Sequence, residues 1–326
     1  MGRFGRDTSR LFQCLSSFCP ASRTKIRTIW TSNQAGSSGE FGIFKPPAVQ
    51  PIVLGRDMSP EKESAIPSFP SYQKPPVIEV AAGVQFEELR GWQTRYFGQF
   101  WSEFATDYPL TQDQPPMVDI VEGGPKLEIL TLPPLRRMLL LSKDQNYVIQ
   151  LQGSRLHFNW RKVNEADEYP RFQKTIFPRF LHVWGQFSNF ATRMALGNVR
   201  PQRYELTYIN HIEPKGNHFA EALESRVKLF QWSPVKTEAK FLTAPTAVNT
   251  VWTFSLPDQR GTAQANLSQA TRADGRSVLV LGMSCSAPAS PKYSLNEWFA
   301  TAHEWIVRGF ADLTTASAQS EWGRIE

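Results

Sequence analysis

Between Ile78 and Phe86 the apolar residues Ile78, Val80, Ala82, Val84 and Phe86 alternate with Glu79, Ala81, Gly83 and Gln85. That is the period of a strand with one buried and one polar face. From Gly91 to Asp107 the spacing changes to three and four, with Trp92, Tyr96, Phe97, Phe100, Trp101 and Phe104 on one side. It predicts a helix that stops before Pro109. The Pro-rich stretch 109–134 reads as a long connection with one short strand at Lys126 to Leu130. Arg136 to Ser142, Tyr147 to Gln152 and Arg155 to Arg161 then form a three-stranded meander, with Lys143-Asp144-Gln145-Asn146 and Gly153-Ser154 as its turns. Tyr147, Ile149, Leu151, Leu156, Phe158 and Trp160 share one face; Gln150, Gln152, Arg155, His157, Asn159 and Arg161 share the other.

The strongest helical stripe follows in Phe172, Ile176, Phe180, Val183, Trp184, Phe187, Phe190, Ala191 and Met194. Gly197-Asn198 supplies a C-cap, and Pro178 either kinks this helix or marks its true first turn. Large apolar side chains in one stripe stabilise by roughly 1.5 to 3 kcal/mol each on full burial, before ordering entropy is subtracted, so the helix must cover a sheet. Arg203 to Glu213 returns to strand. The rest is looser: a short helix near Phe219 to Phe230, then strands near Lys240 to Leu242, Asn249 to Leu256, Gly261 to Ala270 and Arg276 to Ser286, with a turn at Asp274-Gly275. Ser294-Leu295-Asn296-Glu297 is a capping box for a last helix that buries Leu295, Trp298, Phe299, Ala302, Trp305, Ile306, Phe310 and Leu313. The expected fold class is α+β: largely antiparallel sheet, one face covered by long aromatic-rich amphipathic helices. A meander followed by an aromatic helix occurs at both 136–196 and 239–315, which suggests an internal βββα duplication without a residue-level repeat.

Two short segments carry an identity signal: the opening strand Pro75-Pro76-Val77-Ile78-Glu79-Val80, and the closing helix with His303-Glu304-Trp305-Ile306-Val307-Arg308-Gly309-Phe310. The body resembles a sporadically distributed family of uncharacterised bacterial proteins, which begin with a Pro-Pro-x-x-Glu-Val strand and end with a His-containing helix followed by a Phe. The resemblance spans roughly residues 74–323 and implies a fold-sized unit, no chemistry. Its sporadic distribution is that of accessory genes of mobile or defence-associated systems.

Composition narrows the classes. With 41% hydrophobic and 12% aromatic residues in 326, the chain can bury a sizeable core. The net charge of +6 invites a nucleic-acid reading, but its location removes that reading. Residues 1–57 hold eight Lys/Arg and three acids, net +5, and the other 269 residues hold 28 bases and 27 acids, net +1. Nucleic acid is therefore not the expected partner. No run approaches the ~20 apolar residues of a membrane-spanning helix, and three cysteines make neither a disulfide framework nor a zinc site, so a reducing, cytoplasmic setting is expected. Residues 1–57 are Arg- and Ser-rich. They read as a disordered leader or upstream extension with the natural start at Met58, as an organelle transit peptide, or as a functional tail. Residues 58–76 form a Pro- and Ser-rich linker, and 77–323 a single body with halves 77–213 and 214–323.

The search for chemistry returns little. No phosphate loop, dinucleotide fingerprint, nucleophile elbow or calcium loop is present, and His303-Glu304 lacks the second His that a zinc protease needs, since position 307 is Val. No catalytic residue, cofactor or metal is assigned. One place gathers histidine with both charge signs: the polar sheet face with Arg155, His157, Arg161 and His211, beside Glu205 and Glu213. Either that face is solvated, with these residues at least partly exposed, or it holds a ligand or partner. The latter requires the 155–161 and 203–213 strands to be close. His303 is either a packing residue or a functional one. The leading expectation is a non-enzymatic protein that binds another protein. The alternative is a small-molecule-binding protein or hydrolase with its site on the polar face.

Overall fold

The polar-apolar alternation of Val77–Phe86 places that segment, β1, at the middle of a nine-stranded antiparallel sheet. In this computed structural model residues 69–117, 135–214, 223–228, 247–272 and 275–325 are described. The expected features at 1–57, most of the 58–76 linker, Lys126 to Leu130, half of Phe219 to Phe230, Lys240 to Leu242 and the Asp274 turn position lie outside the described residues. After β1 come α1 (Thr94–Ser102), β2 (Leu110–Gln114), β3 (Arg137–Leu141), β4 (Tyr147–Gln152), β5 (Arg155–Arg161) and α2 (Phe177–Arg193). They are followed by β6 (Pro201–Ile212), β7 (Asn249–Ser255), β8 (Thr262–Thr271), β9 (Ser277–Pro288), α3 (Leu295–Leu313) and α4 (Ala316–Glu321).

Sheet order is β2-β3-β4-β5-β1-β6-β9-β8-β7. Outward from the central β1·β6 pair the two sides match: β1-β5-β4-β3 on one, β6-β9-β8-β7 on the other, each ending its run with a long helix, α2 or α3. The repeated unit is thus strand, three-stranded meander, helix, and the strand that opens the second unit is β6. An approximate two-fold axis passes through the central pair. The all-antiparallel ladder permits one wet or polar face, and α2 and α3 pack on the other. Phe299 of α3 meets Phe177 and Phe180 of α2 at ring distances of 5.3 and 5.0 Å. α1 adds a third layer piece, with Phe100 at 5.5 Å from Phe187. Val80, Ala82, Val84, Phe158, Leu206 and Leu281 supply the buried sheet side of this core.

Three local differences from the sequence reading have simple causes. α1 is shorter than Gly91 to Asp107, because Gly91 takes φ 80° and the chain enters the helix from an extended Gln93. Pro178 sits in the first turn of α2, as one of the two readings has it, and the turn before it (Phe172–Ile176) is π-helical. α2 stops at Arg193, before Gly197, with Ala195 already in the left-handed region at φ 54°. The capping box of α3 is present: Glu297 N–H donates to Ser294 Oγ at 3.2 Å and Ser294 N–H to Glu297 Oε2 at 2.6 Å.

Candidate functional site

Register decides which polar residues meet. β5 and β6 are not neighbours; β1 lies between them, pairing Gly83 with His157 on one side and with Glu205 on the other. A side chain at 83 would separate His157 from Glu205. A Cβ there would lie 2.0 Å from His157 Cδ2 and 2.3 Å from its Nε2, so the imidazole rests on bare backbone. It crosses β1 to bring Nε2 to 2.9 Å from Glu205 Oε2. A glycine inside a strand marks such a close approach. Gln85 Nε2 donates to the other oxygen of Glu205 at 2.5 Å. Burial alone would raise the Glu205 pKa, but the hydrogen bond and charge of His157, the charge of Arg155 and the Gln85 bond outweigh it and hold it at about 2.

One row along, Asn159 Nδ2 donates to Glu79 Oε1 at 2.6 Å. Burial raises the Glu79 pKa, opposed by the Asn159 bond and by the charges of Arg161 and Arg137. Arg137 enters from β3, with Nη1 donating to Gln150 Oε1 at 2.9 Å, and Gln150 stands opposite His157 on β4. Its pKa is lowered by burial and then by the like charge of Arg155, with Glu79 opposing. Five strands therefore contribute to one polar cluster. Arg161 is tied to the β3-β4 turn, its Nε donating to the Gln145 carbonyl at 2.8 Å.

The exposure expected of this face is corrected in part. Arg155 and His157 are each 8% exposed, Arg137 7% and Asn159 1%, so this part of the stripe is enclosed, whereas Arg161, Glu205 and His211 are half-buried, partly exposed as expected. Apolar residues of the same face flank it: Leu139, Leu141 and Val148 on one side, Ile209, Val278 and Val280 on the other, all buried. Of the expected site residues, Arg155, His157 and Arg161 do come together, with Arg137, Glu79 and Asn159 as members that sequence reasoning passed over. His211 shares the face but not the cluster. Its pKa falls to about 4, from burial first and then the Arg272 charge, with Glu165 opposing.

His303 belongs to the helix-covered face. Its Nδ1 lies 2.9 Å from Tyr208 Oη, which in turn lies 3.1 Å from Tyr169 Oη. The π-turn places Phe172 against the imidazole, ring centres 4.8 Å apart. Burial lowers the His303 pKa to about 4. This is a packing and hydrogen-bonding role. A separate open groove of about 1150 Å3 runs between the end of α1, the β3-β4 turn and the first half of α2, with Asp107, Asp144, Arg179 and His182 among its lining. Arg179 is already engaged over the Tyr147 ring at 4.1 Å.

Nothing in the cluster makes a nucleophile. Among the described residues the His157 ring bonds only to Glu205, and Cys285 is buried on the other face with its pKa pushed up to about 12. No three His, Cys, Asp or Glu gather among the described residues in a way that could hold a metal ion, and no described helix is long and apolar enough to cross a membrane. No family model, curated protein or solved structure matches the chain.

Proposed function

We propose that the chain is a non-enzymatic binding protein that receives a protein partner on the polar face of its sheet, in the manner of an accessory component. One observation carries the reading. Arg137, His157 and Asn159, each more than nine-tenths buried, all keep a polar atom without a hydrogen-bond partner among the described residues, and all three lie on this face. Buried polar groups are ordinarily satisfied, since leaving one unpaired costs about 1 to 3 kcal/mol. A row of such groups, beside half-buried Glu205 and Thr207, suits a face completed by something else.

The test is in-cell photocrosslinking from two positions of the full chain. A photoreactive residue at Thr207, half-buried on the polar face beside the cluster, should capture a partner polypeptide, and one at Ser188 on α2 should not. Equal capture from both positions, or none from Thr207, would count against the proposal.

A further inference from the structure

The sheet has two edges, and they are finished differently. β2 is five residues long, carries Asp113 and lies between Pro109 and Pro115-Pro116. A short strand, a charge and flanking prolines are ordinary devices that keep an edge from pairing. β7 has none of them. Its seven residues, Asn249-Thr250-Val251-Trp252-Thr253-Phe254-Ser255, include no charge and no proline, and their register with β8 is unbroken. Val251 and Phe254, on opposite faces, are each 40% exposed. Among the described residues no backbone group bonds to the outer side of this strand.

The ladder fixes what that outer side offers. Leu256 N–H donates to the Gly261 carbonyl at 2.9 Å, and inward-bonded residues alternate along an antiparallel strand. Thr250, Trp252 and Phe254 therefore bond to β8, while Asn249, Val251, Thr253 and Ser255 turn N–H and C=O outward. A second β7 laid antiparallel with Trp252 on the two-fold axis pairs all seven residues. Asn249 then faces Ser255 of the second copy and Val251 faces Thr253, so each pair that exchanges hydrogen bonds joins two outward-turned residues. The side chains match too. On the helix-covered side Trp252, half-buried against the core, meets its own counterpart and Thr250 meets Phe254; on the polar side Val251 packs on Thr253. Aromatic and β-branched pairs of this kind stabilise a sheet, and no like charges meet. A self-matching contact closes after two copies, whereas β7 laid on β2 of another copy would leave edges free and grow a filament. We infer that β7 is a self-association edge, through which two copies of the chain join their nine-stranded sheets into one continuous antiparallel sheet about a two-fold axis at Trp252. Nothing in this contact touches the buried polar cluster, so it stands or falls apart from the proposed protein partner.

The test is sedimentation velocity of the full chain under reducing conditions over a concentration series, with backbone amide exchange followed in parallel. The unmodified chain should sediment as a dimer that dissociates on dilution. Val251→Lys/Thr253→Lys sets like charges opposite each other on both sides of the axis and should raise the midpoint of dissociation by at least about tenfold. Both positions are exposed, so its thermal melt should stay close to that of the unmodified chain. Val251→Lys/Thr253→Glu sets opposite charges in the same pairs and should restore the dimer. A chain that stays monomeric up to about 100 μM overturns the inference. So does a dimer that Val251→Lys/Thr253→Lys leaves intact, an open-ended polymer, or a Val251→Lys/Thr253→Glu variant that associates no better than the doubly basic one. If the doubly basic variant does not fold, amide exchange on the unmodified chain decides: the Val251 and Thr253 N–H groups should exchange slowly in the dimer and fast on dilution, and exchange that ignores concentration overturns the inference.

Discussion

Adding one methyl group at Gly83 should damage this protein more than removing many larger groups. Gly83→Ala would place a Cβ 2.0 to 2.6 Å from three atoms of the His157 imidazole, distances no packed structure tolerates, so the ring must swing away or β1 must shift. Overpacking of this kind costs about 1 to 3 kcal/mol. Moving the ring also breaks its 2.9 Å bond to Glu205, and a hydrogen bond to a charged group is worth about 1.5 to 3 kcal/mol. Alanine recovers about 0.5 to 1 kcal/mol over glycine within a strand. The expected net loss is about 2 to 5 kcal/mol, read as a lower urea midpoint at unchanged slope. The decisive measurement is a double-mutant cycle. In a His157→Ala background the methyl group meets no ring, so Gly83→Ala should be close to neutral there. A loss below about 0.5 kcal/mol in the unmodified chain, or the same loss in both backgrounds, would refute the account of Gly83 as the seat of the imidazole.

Other outcomes follow from the same geometry. Phe187→Ala should cost about 3 to 5 kcal/mol, since that ring is fully buried among Phe86, Trp92 and Phe100; half-buried Trp184→Ala should cost less, and equal losses in chemical unfolding would contradict this packing. His211 and His303 hold folded-state values of about 4 against an ordinary 6.5. The unfolded chain therefore takes up protons first, and stability should fall as pH drops from about 6.5 to 4. His303→Gln should flatten that slope in thermal melts at stepped pH. Glu205, at about 2 in the folded chain, adds stability that is present above about 4.5 and lost between there and 2; Glu205→Gln should remove that lower limb. Ser294→Ala should cost about 1 kcal/mol through the lost cap, checked by the same melts.

Much of the fold could be read from the chain because its strands alternate cleanly and its turns are short. Gly153-Ser154 fixes the hairpin that sets Leu156, Phe158 and Trp160 on one face and His157 and Asn159 on the other. The candidate site was only half legible. Alternation tells which face a residue takes, not which strand lies beside it, so neither the interposed β1 nor the Glu205 partner of His157 could be foreseen. Arg137 was missed because it heads an otherwise apolar strand, and only pairing with β4 brings it to Gln150. Nor does periodicity say whether a polar face is wet. Gly83 was the one available signal, a glycine in the middle of a strand with no turn to explain it.

The mirrored strand order has a consequence for how the chain assembles. Each half holds local hairpins that can form early, but β1 joins β5 and β6 joins β9 only through distant pairings, and the sheet closes when β1 meets β6, whose paired residues lie more than a hundred positions apart in sequence. Contacts of that separation close late and slowly. Until they do, each half carries a raw central strand with its N–H and C=O groups open, the kind of edge that pairs with whatever strand it meets first. Because the join is antiparallel and the halves share one topology, a first half lacking its second has a ready substitute in another copy of itself. Dimerisation through β1, or aggregation there, is thus the misassembly this architecture invites while the chain is still incomplete.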